Sequence, residues 1–246
     1  MSGNGSHVAA CLVDLGGTLL AHGDWGGDPQ RDRTETRARA VGWVDQWLGP
    51  AAAAAAAAWD AAVADGRAAV ASTGGEVDLF AITAAVLASR GLPAEDSLVA
   101  DLLATTHAWW VEMTRPMAGA ADFLDGLSSA GVPVVLVSNS MWPGYLVDRQ
   151  VAVAGLLDRL PRRLYSSGLG LRKPRAEVFA AGLAQVGVAA SQAVFVGDDW
   201  TADVAGARAC GLRALWLHPL GGGGPGWQAV PDLNRAGEVL CSWLAS

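Results

Sequence analysis

Four groups of residues in this chain have types and spacing suited to phosphate chemistry. Asp14 ends the apolar run "ACLV" and opens "DLGGT"; Ser138 and Asn139 directly follow "VVLV". Lys173 stands in "LRKPRAEVF" as the single lysine of a chain with 16 arginines. Such an aversion to lysine suggests that position 173 needs a compact ammonium, which a guanidinium does not replace. The stretch "GDDWTAD" places Asp198, Asp199 and Asp203 within six residues. Acids so close together raise one another's pKa unless a cation sits among them. Each group also has a plainer reading: a turn carboxylate, a strand-end serine, a solvated loop lysine, and acids favoured at a helix N-terminus by the dipole.

The elements that would position these residues can be read from periodicity. Four strand-length apolar runs recur: "ACLV" (10–13), "VVLV" (134–137), "AVFV" (193–196) and "ALWL" (214–217). Between the later ones lie helical patterns, "RAEVFAAGLAQVG" (175–187) and "TADVAGARACG" (201–211), each closed by glycine. Continuous apolar strands alternating with helices predict an α/β fold with a parallel, doubly wound, Rossmann-like sheet covered on both faces. Ligands bind such sheets at the carboxyl ends of the strands. Asp14, Ser138 and Asp198 all fall at or just past such ends.

Residues 21–115 read differently. A polar connection leads to Pro50 and eight alanines, the best helix formers, and two further helical patterns follow, "VDLFAITAAVLASRGLP" and "DSLVADLLATTHAWW". The expected organisation is a core of residues 1–20 and 116–246 with an all-helical cap at 21–115. "GGGGPG" (221–226) reads as a mobile loop and "LNRAGEVLCSWLA" as a closing helix.

Composition excludes several functions. More than half of the 246 residues are hydrophobic and only 17% are charged, so a sizeable core is expected. A net charge of -7 argues against nucleic acid, which attracts basic faces. No apolar run is long enough for a membrane span, and "MSGNGSH" lacks an export signal's basic and apolar regions, so a cytoplasmic protein is expected. Cys11, Cys210 and Cys241 show no metal-type spacing and read as buried free thiols. His7, His22, His107 and His218 are too scattered to assemble a zinc site or a triad. Nothing in the sequence sets an oligomeric state.

Taken in order, "VDLGGT", "VVLVSNS", "LRKPRAEVF" and "VFVGDDWTAD" resemble the haloacid dehalogenase-like hydrolase superfamily, mostly phosphatases with an aspartate nucleophile. The resemblance covers roughly 10–20 and 116–217, and the helical insert stands where that superfamily places a cap of the first type. It implies an aspartyl-phosphate on Asp14, which splits one hard displacement into two easier ones. Lys173 would neutralise Asp14 and hold a phosphate oxygen. Ser138, the backbone N–H of Asn139, Gly17 and Thr18 would bind phosphate. Mg²⁺ would be the cofactor, with Asp14, the Gly16 carbonyl, Asp198 and, less directly, Asp203 around it. The resemblance gives Asp199 no role. The implied partner is a small phosphorylated molecule.

One position departs from the pattern. Where superfamily phosphatases usually carry a second Asp, which protonates the leaving oxygen, this chain has Gly16. General acid–base help is worth about 10²–10⁴-fold, so substrates with good leaving groups should suffer least. Asp24 or Asp28 could fill the gap by proximity in sequence. A weakened relative kept for binding or for another reaction is the alternative. "DLGGT" also fits a sugar-kinase-like phosphate turn, but the required hairpin does not follow. The phosphonate-cleaving branch needs a cap lysine and finds none in 1–172; the dehalogenase branch is metal-free, against "GDDWTAD". Six tryptophans (Trp25, Trp43, Trp47, Trp59, Trp109, Trp110) fall in the insert or its entry, and Trp142 and Trp200 follow site motifs. They suggest an aromatic-walled pocket, with core packing as the plainer reading.

Overall fold

The computed structural model describes residues 8–21 and 52–244. Trp25, Trp43, Trp47, Pro50, Asp24 and Asp28 lie outside the described residues.

All four apolar runs are strands: β1 (Ala10–Val13), β2 (Val134–Ser138), β4 (Ala193–Gly197) and β5 (Arg213–Leu217). β1, β2 and β4 are buried along their whole length, as expected for sheet interior covered on both faces. Successive side chains alternate between those faces. Cys11, Val13, Leu136, Val194 and Val196 join one cluster, with Phe123 and Leu124 of helix α4 (Ala120–Ser129). Leu12, Val135, Val137 and Phe195 join the opposite cluster, with Val178 and Phe179 of α6 (Ala176–Ala184).

Among the described residues the sheet has seven strands in the order β3-β2-β1-β4-β5-β7-β6, parallel except for the β6–β7 pair. Three of them escape the sequence reading. β3 (Arg163–Tyr165) is too short to make an apolar run. The predicted mobile loop at 221–226 instead contributes β6 (Gly222–Gly224), paired antiparallel with β7 (Trp227–Val230). Glycine has poor strand propensity, so it is pairing with β7 that makes this segment a strand. The closing helix is α7 (Leu233–Leu244).

The chain moves outward through β1, β2 and β3, then returns to the other side of β1 for β4 and β5. This reversal is a topological switch point. Val13 is in register with Leu136 and Val196, so the residues following β1, β2 and β4 emerge together.

Between β1 and α4 lie α1 (Ala52–Ala71), α2 (Leu79–Ser89) and α3 (Asp96–Met113). α2 starts at Asp78, whose carboxylate caps Ala81 N–H, and it is followed by Gly91 at φ +67°. The three helices share a core of their own, including Val63, Leu79, Leu87, Val99 and Leu103. Leu146 of α5 (Gly144–Val153) enters this cluster from the sheet side. Among the cysteines only Cys11 is buried; Cys210 is half-buried and Cys241 exposed, which corrects the expectation of three buried thiols. Among the described residues no helix is long and apolar enough to cross a membrane.

Candidate active site at the strand ends

Asp14 stands at the tip of β1, its backbone N–H donating to the Val196 carbonyl at 2.9 Å. Lys173, from a loop 159 residues away, donates to Asp14 Oδ1 at 2.7 Å and to Asp203 Oδ1 at 2.6 Å. Its side chain is 1% exposed, with the Phe195 ring 4.8 Å from Nζ. Burial alone would lower the Lys173 pKa, but Asp14 and Asp203 outweigh it and the net shift is upward, so the ammonium stays charged. Asp203 shows the opposite strain. Burial, then repulsion from Asp14, pushes its carboxyl up to about 7 against the pull of Lys173. Two buried carboxylates sharing one ammonium are short of positive charge.

The "GDDWTAD" loop supplies the rest of that acidic group. Carboxylate oxygens of Asp14, Asp198 and Asp203 all lie within 4.8 Å of one another. Thr18 Oγ1 donates to Asp198 Oδ1 at 3.3 Å, and the Trp216 indole N–H donates to the Asp198 carbonyl at 2.9 Å. Asp199 acquires a structural role: it caps the π-helical turn Trp200–Ala205, accepting the N–H groups of Thr201 and Ala202, each at 2.7 Å. Gly197 is required by close approach. A Cβ there would stand 2.2 Å from Asp203 Oδ2, so any side chain would displace the carboxylate that Lys173 holds.

These residues fit a Mg²⁺ ion. Three carboxylates against one ammonium leave two negative charges, and the donors are hard oxygens.

Ser138 ends β2, buried, and faces the same space. The Asn139 side chain does work that the sequence reading missed. Its amide donates to the Lys173 carbonyl at 3.0 Å, and the Lys173 N–H donates to its Oδ1 at 2.8 Å. This reciprocal pair joins the Ser138 turn to the lysine loop. Gly17 has φ +77°, a conformation that favours glycine, whereas Gly16 is not among the positive-φ glycines. The cavity wall includes Asp14, Leu15 and Gly16 but neither Gly17 nor Thr18. Thr18 is fully buried and supports Asp198.

A cavity of about 1550 Å³ opens above these groups, between the strand ends and α1–α3. Its wall includes Trp59, Val63, Leu103, Trp110, Met141 and Trp142. The Trp59 indole is tethered to Thr83 Oγ1 at 2.9 Å, and Trp142 stands edge-on to His107, ring centroids 4.8 Å apart. Trp200 goes elsewhere. It is 40% exposed and packs edge-on against Trp216 and Trp227, outside the cavity wall. Trp109 is buried and does not line it either.

The pattern of the hydrolases described as haloacid dehalogenase-like matches residues 8–211, most of the chain and every strand-end group above. The chain belongs to the haloacid dehalogenase-like hydrolases. Within that family it is similar to the ribulose-1,5-bisphosphate 5-phosphatase of Halopiger xanaduensis, 34% identical over 122 residues, which are 48% of this chain and 50% of that protein. It thus spans about half the length of this relative. It is also 31% identical over 153 residues to the phosphoglycolate phosphatase of Xanthomonas campestris pv. campestris, covering 61% of this chain and 68% of that one. The 2-haloacid dehalogenase from Pseudomonas syringae pv. Tomato DC3000 superposes with a TM-score of 0.68 at 23% identity, over 96% of this chain and 99% of that one. That likeness establishes the haloacid dehalogenase-like fold.

Proposed function

We propose that this protein is a Mg²⁺-dependent phosphohydrolase that works through an aspartyl-phosphate on Asp14. The observation that carries this reading is the buried Asp14–Lys173–Asp203 contact beside Asp198 at the floor of an open cavity. The relatives named as phosphatases favour phosphorus as the centre attacked.

In the first step an Asp14 oxygen forms a bond to phosphorus while the bond to the leaving oxygen breaks. Lys173 holds Asp14 and offers its charge to a phosphoryl oxygen; the Ser138 hydroxyl and Asn139 N–H bind the same group. In the second step water attacks phosphorus and Asp14 departs as a carboxylate. Asp14, Asp198 and the Gly16 carbonyl would hold Mg²⁺, with Asp203 supporting Lys173. When bound, the ion neutralises charge on the transferring phosphoryl group.

Gly16 brings no side chain to protonate the leaving oxygen, so the preferred substrates have leaving groups stable as anions: aryl and acyl phosphates and anhydrides. The backbone at Gly16 is not in the left-handed region, and Gly16 lines the cavity. Gly16→Asp is therefore expected to raise kcat/KM for a simple alkyl phosphate by about 10²-fold, with little change for an aryl phosphate. Parallel assays of the two substrates, with and without Mg²⁺, test the reading. Wild-type protein inactive on both, with and without Mg²⁺, would favour a fold retained for binding.

The cavity's tethered tryptophans extend the reading to the leaving group, which should be broad and apolar. Trp142→Ala is expected to raise KM for a naphthyl phosphate roughly tenfold while leaving that for acetyl phosphate nearly unchanged. Trp200→Ala, outside the wall, should change neither. Equal KM shifts for both substrates with Trp142→Ala would refute the apolar subsite.

A further inference from the structure

Glu76 is a buried acid with no part in the chemistry above. It lies in the segment joining α1 to α2, and this segment is laid against the loops that carry the site. Gly75 and Leu171 form an antiparallel bridge, the Arg172 N–H donates to the Gly74 carbonyl at 3.0 Å, and the Glu76 N–H donates to the Gly170 carbonyl at 2.9 Å.

The Glu76 side chain, 1% exposed, passes beneath that seam. Its Oε1 accepts the Val77 N–H at 2.9 Å and stands 3.5 Å from Arg172 Nη1. Its Oε2 accepts the hydroxyl of Ser166, which is fully buried, at 2.5 Å. The Ser166 oxygen in turn accepts the Ser140 N–H at 2.7 Å. A hydroxyl has one proton, and a carboxylate is its strongest acceptor. With that proton committed to Glu76, the oxygen presents a lone pair to Ser140. Without Glu76 the proton would fall back on the Ser140 carbonyl, a longer contact at 3.2 Å and one that already receives the Ser167 N–H at 3.0 Å. Ser140 closes the turn that begins with Ser138 and Asn139.

We propose that Glu76 is a positioning residue: through Ser166 and Ser140 it ties the helical insert to the turn that binds the phosphoryl group. This rests on the reading of Ser138 and Asn139 as phosphate ligands. The insert then holds the shape of the phosphate site as well as roofing it.

Competitive inhibition by inorganic phosphate reads that shape directly. Ser166→Ala and Glu76→Ala are each expected to raise the phosphate Ki roughly tenfold, the effect of losing a charge-assisted hydrogen bond. The double variant should be no worse than the weaker-binding single, because both cut one relay. Arg175→Ala cuts another contact of the same seam, to the Thr73 carbonyl at 2.8 Å, and should leave Ki unchanged. Ser166→Ala removes only a hydroxyl and carries the test alone if Glu76→Ala does not fold. A phosphate-inhibited wild type with unchanged Ki in Ser166→Ala overturns the relay, as do additive effects or an equal shift in Arg175→Ala. A wild type not inhibited by phosphate overturns the phosphate site, and the relay with it.

Discussion

Asp14→Asn lowers kcat by at least about 10⁴-fold while the protein remains as stable as the wild type, or becomes more so. The amide matches the carboxylate in size and keeps an oxygen to accept from Lys173, so the fold loses neither packing nor a hydrogen bond. What it lacks is the anion proposed to attack phosphorus, and removing a covalent nucleophile commonly costs this much or more. The stability half of the prediction comes from charge. Asp14 helps to push the Asp203 pKa up, so neutralising position 14 leaves Lys173 and Asp203 as a one-to-one buried pair. Active-site strain of this kind is often relieved when the functional group is removed. Steady-state kinetics with a denaturant titration check both halves; a loss of activity accompanied by an equal loss of stability would assign Asp14 a structural role instead.

Lys173→Met should be damaging in both respects. Methionine fills the same space without charge, leaving Asp14 and Asp203 buried with no cation between them. Removing one partner of a buried ion pair costs about 3–5 kcal/mol, because the remaining charge is uncompensated. Turnover should fall by at least about 10²–10³-fold, the range for loss of one preorganised electrostatic contact to the transition state. Lys173→Arg is not expected to rescue it. The ammonium nitrogen sits between two carboxylate oxygens at 2.7 and 2.6 Å with an aromatic ring behind it, and the side chain has almost no exposure. A planar guanidinium cannot take that place without moving one of its neighbours. Urea midpoints and initial rates of the two variants check this; full activity in Lys173→Arg would show that position 173 needs only a positive charge.

Much of the site was legible in the sequence because its groups sit at predictable places on predictable elements. Asp14, Ser138 and Asp198 follow short apolar runs that alternate with helical patterns, the signature of buried parallel strands, and the ends of such strands converge by topology. Lys173 stood out by composition. Residues whose role depends on a distant partner were not legible. Thr18 and Asp198 are 180 positions apart, Glu76 and Ser166 are 90 apart, and nothing local marks either pair. The Asn139 side chain was missed for the same reason: the resemblance implied a role only for its backbone N–H. Asp199 could have been found, since an acid just before a helical pattern is an N-cap signal. Strands β3 and β6 were missed because three residues carry no periodicity, and Gly222–Gly224 is a strand by pairing alone. Trp200 and Trp142 look alike in sequence. Their difference comes from the sheet, where β5 and β7 supply Trp216 and Trp227 as partners for Trp200.

The central claim is that Asp14 carries the phosphoryl group between the two displacements. Protein mixed with a rapidly cleaved acyl or aryl phosphate in the presence of Mg²⁺ can be quenched in acid within one turnover and analysed by mass spectrometry of the peptide containing Asp14. The mechanism predicts a phosphoryl adduct on Asp14 that forms with the burst of leaving group, decays at the rate of turnover, and is absent from Asp14→Asn. Substrate cleavage at the full rate with no adduct at any quench time, or an adduct on another residue, would contradict it.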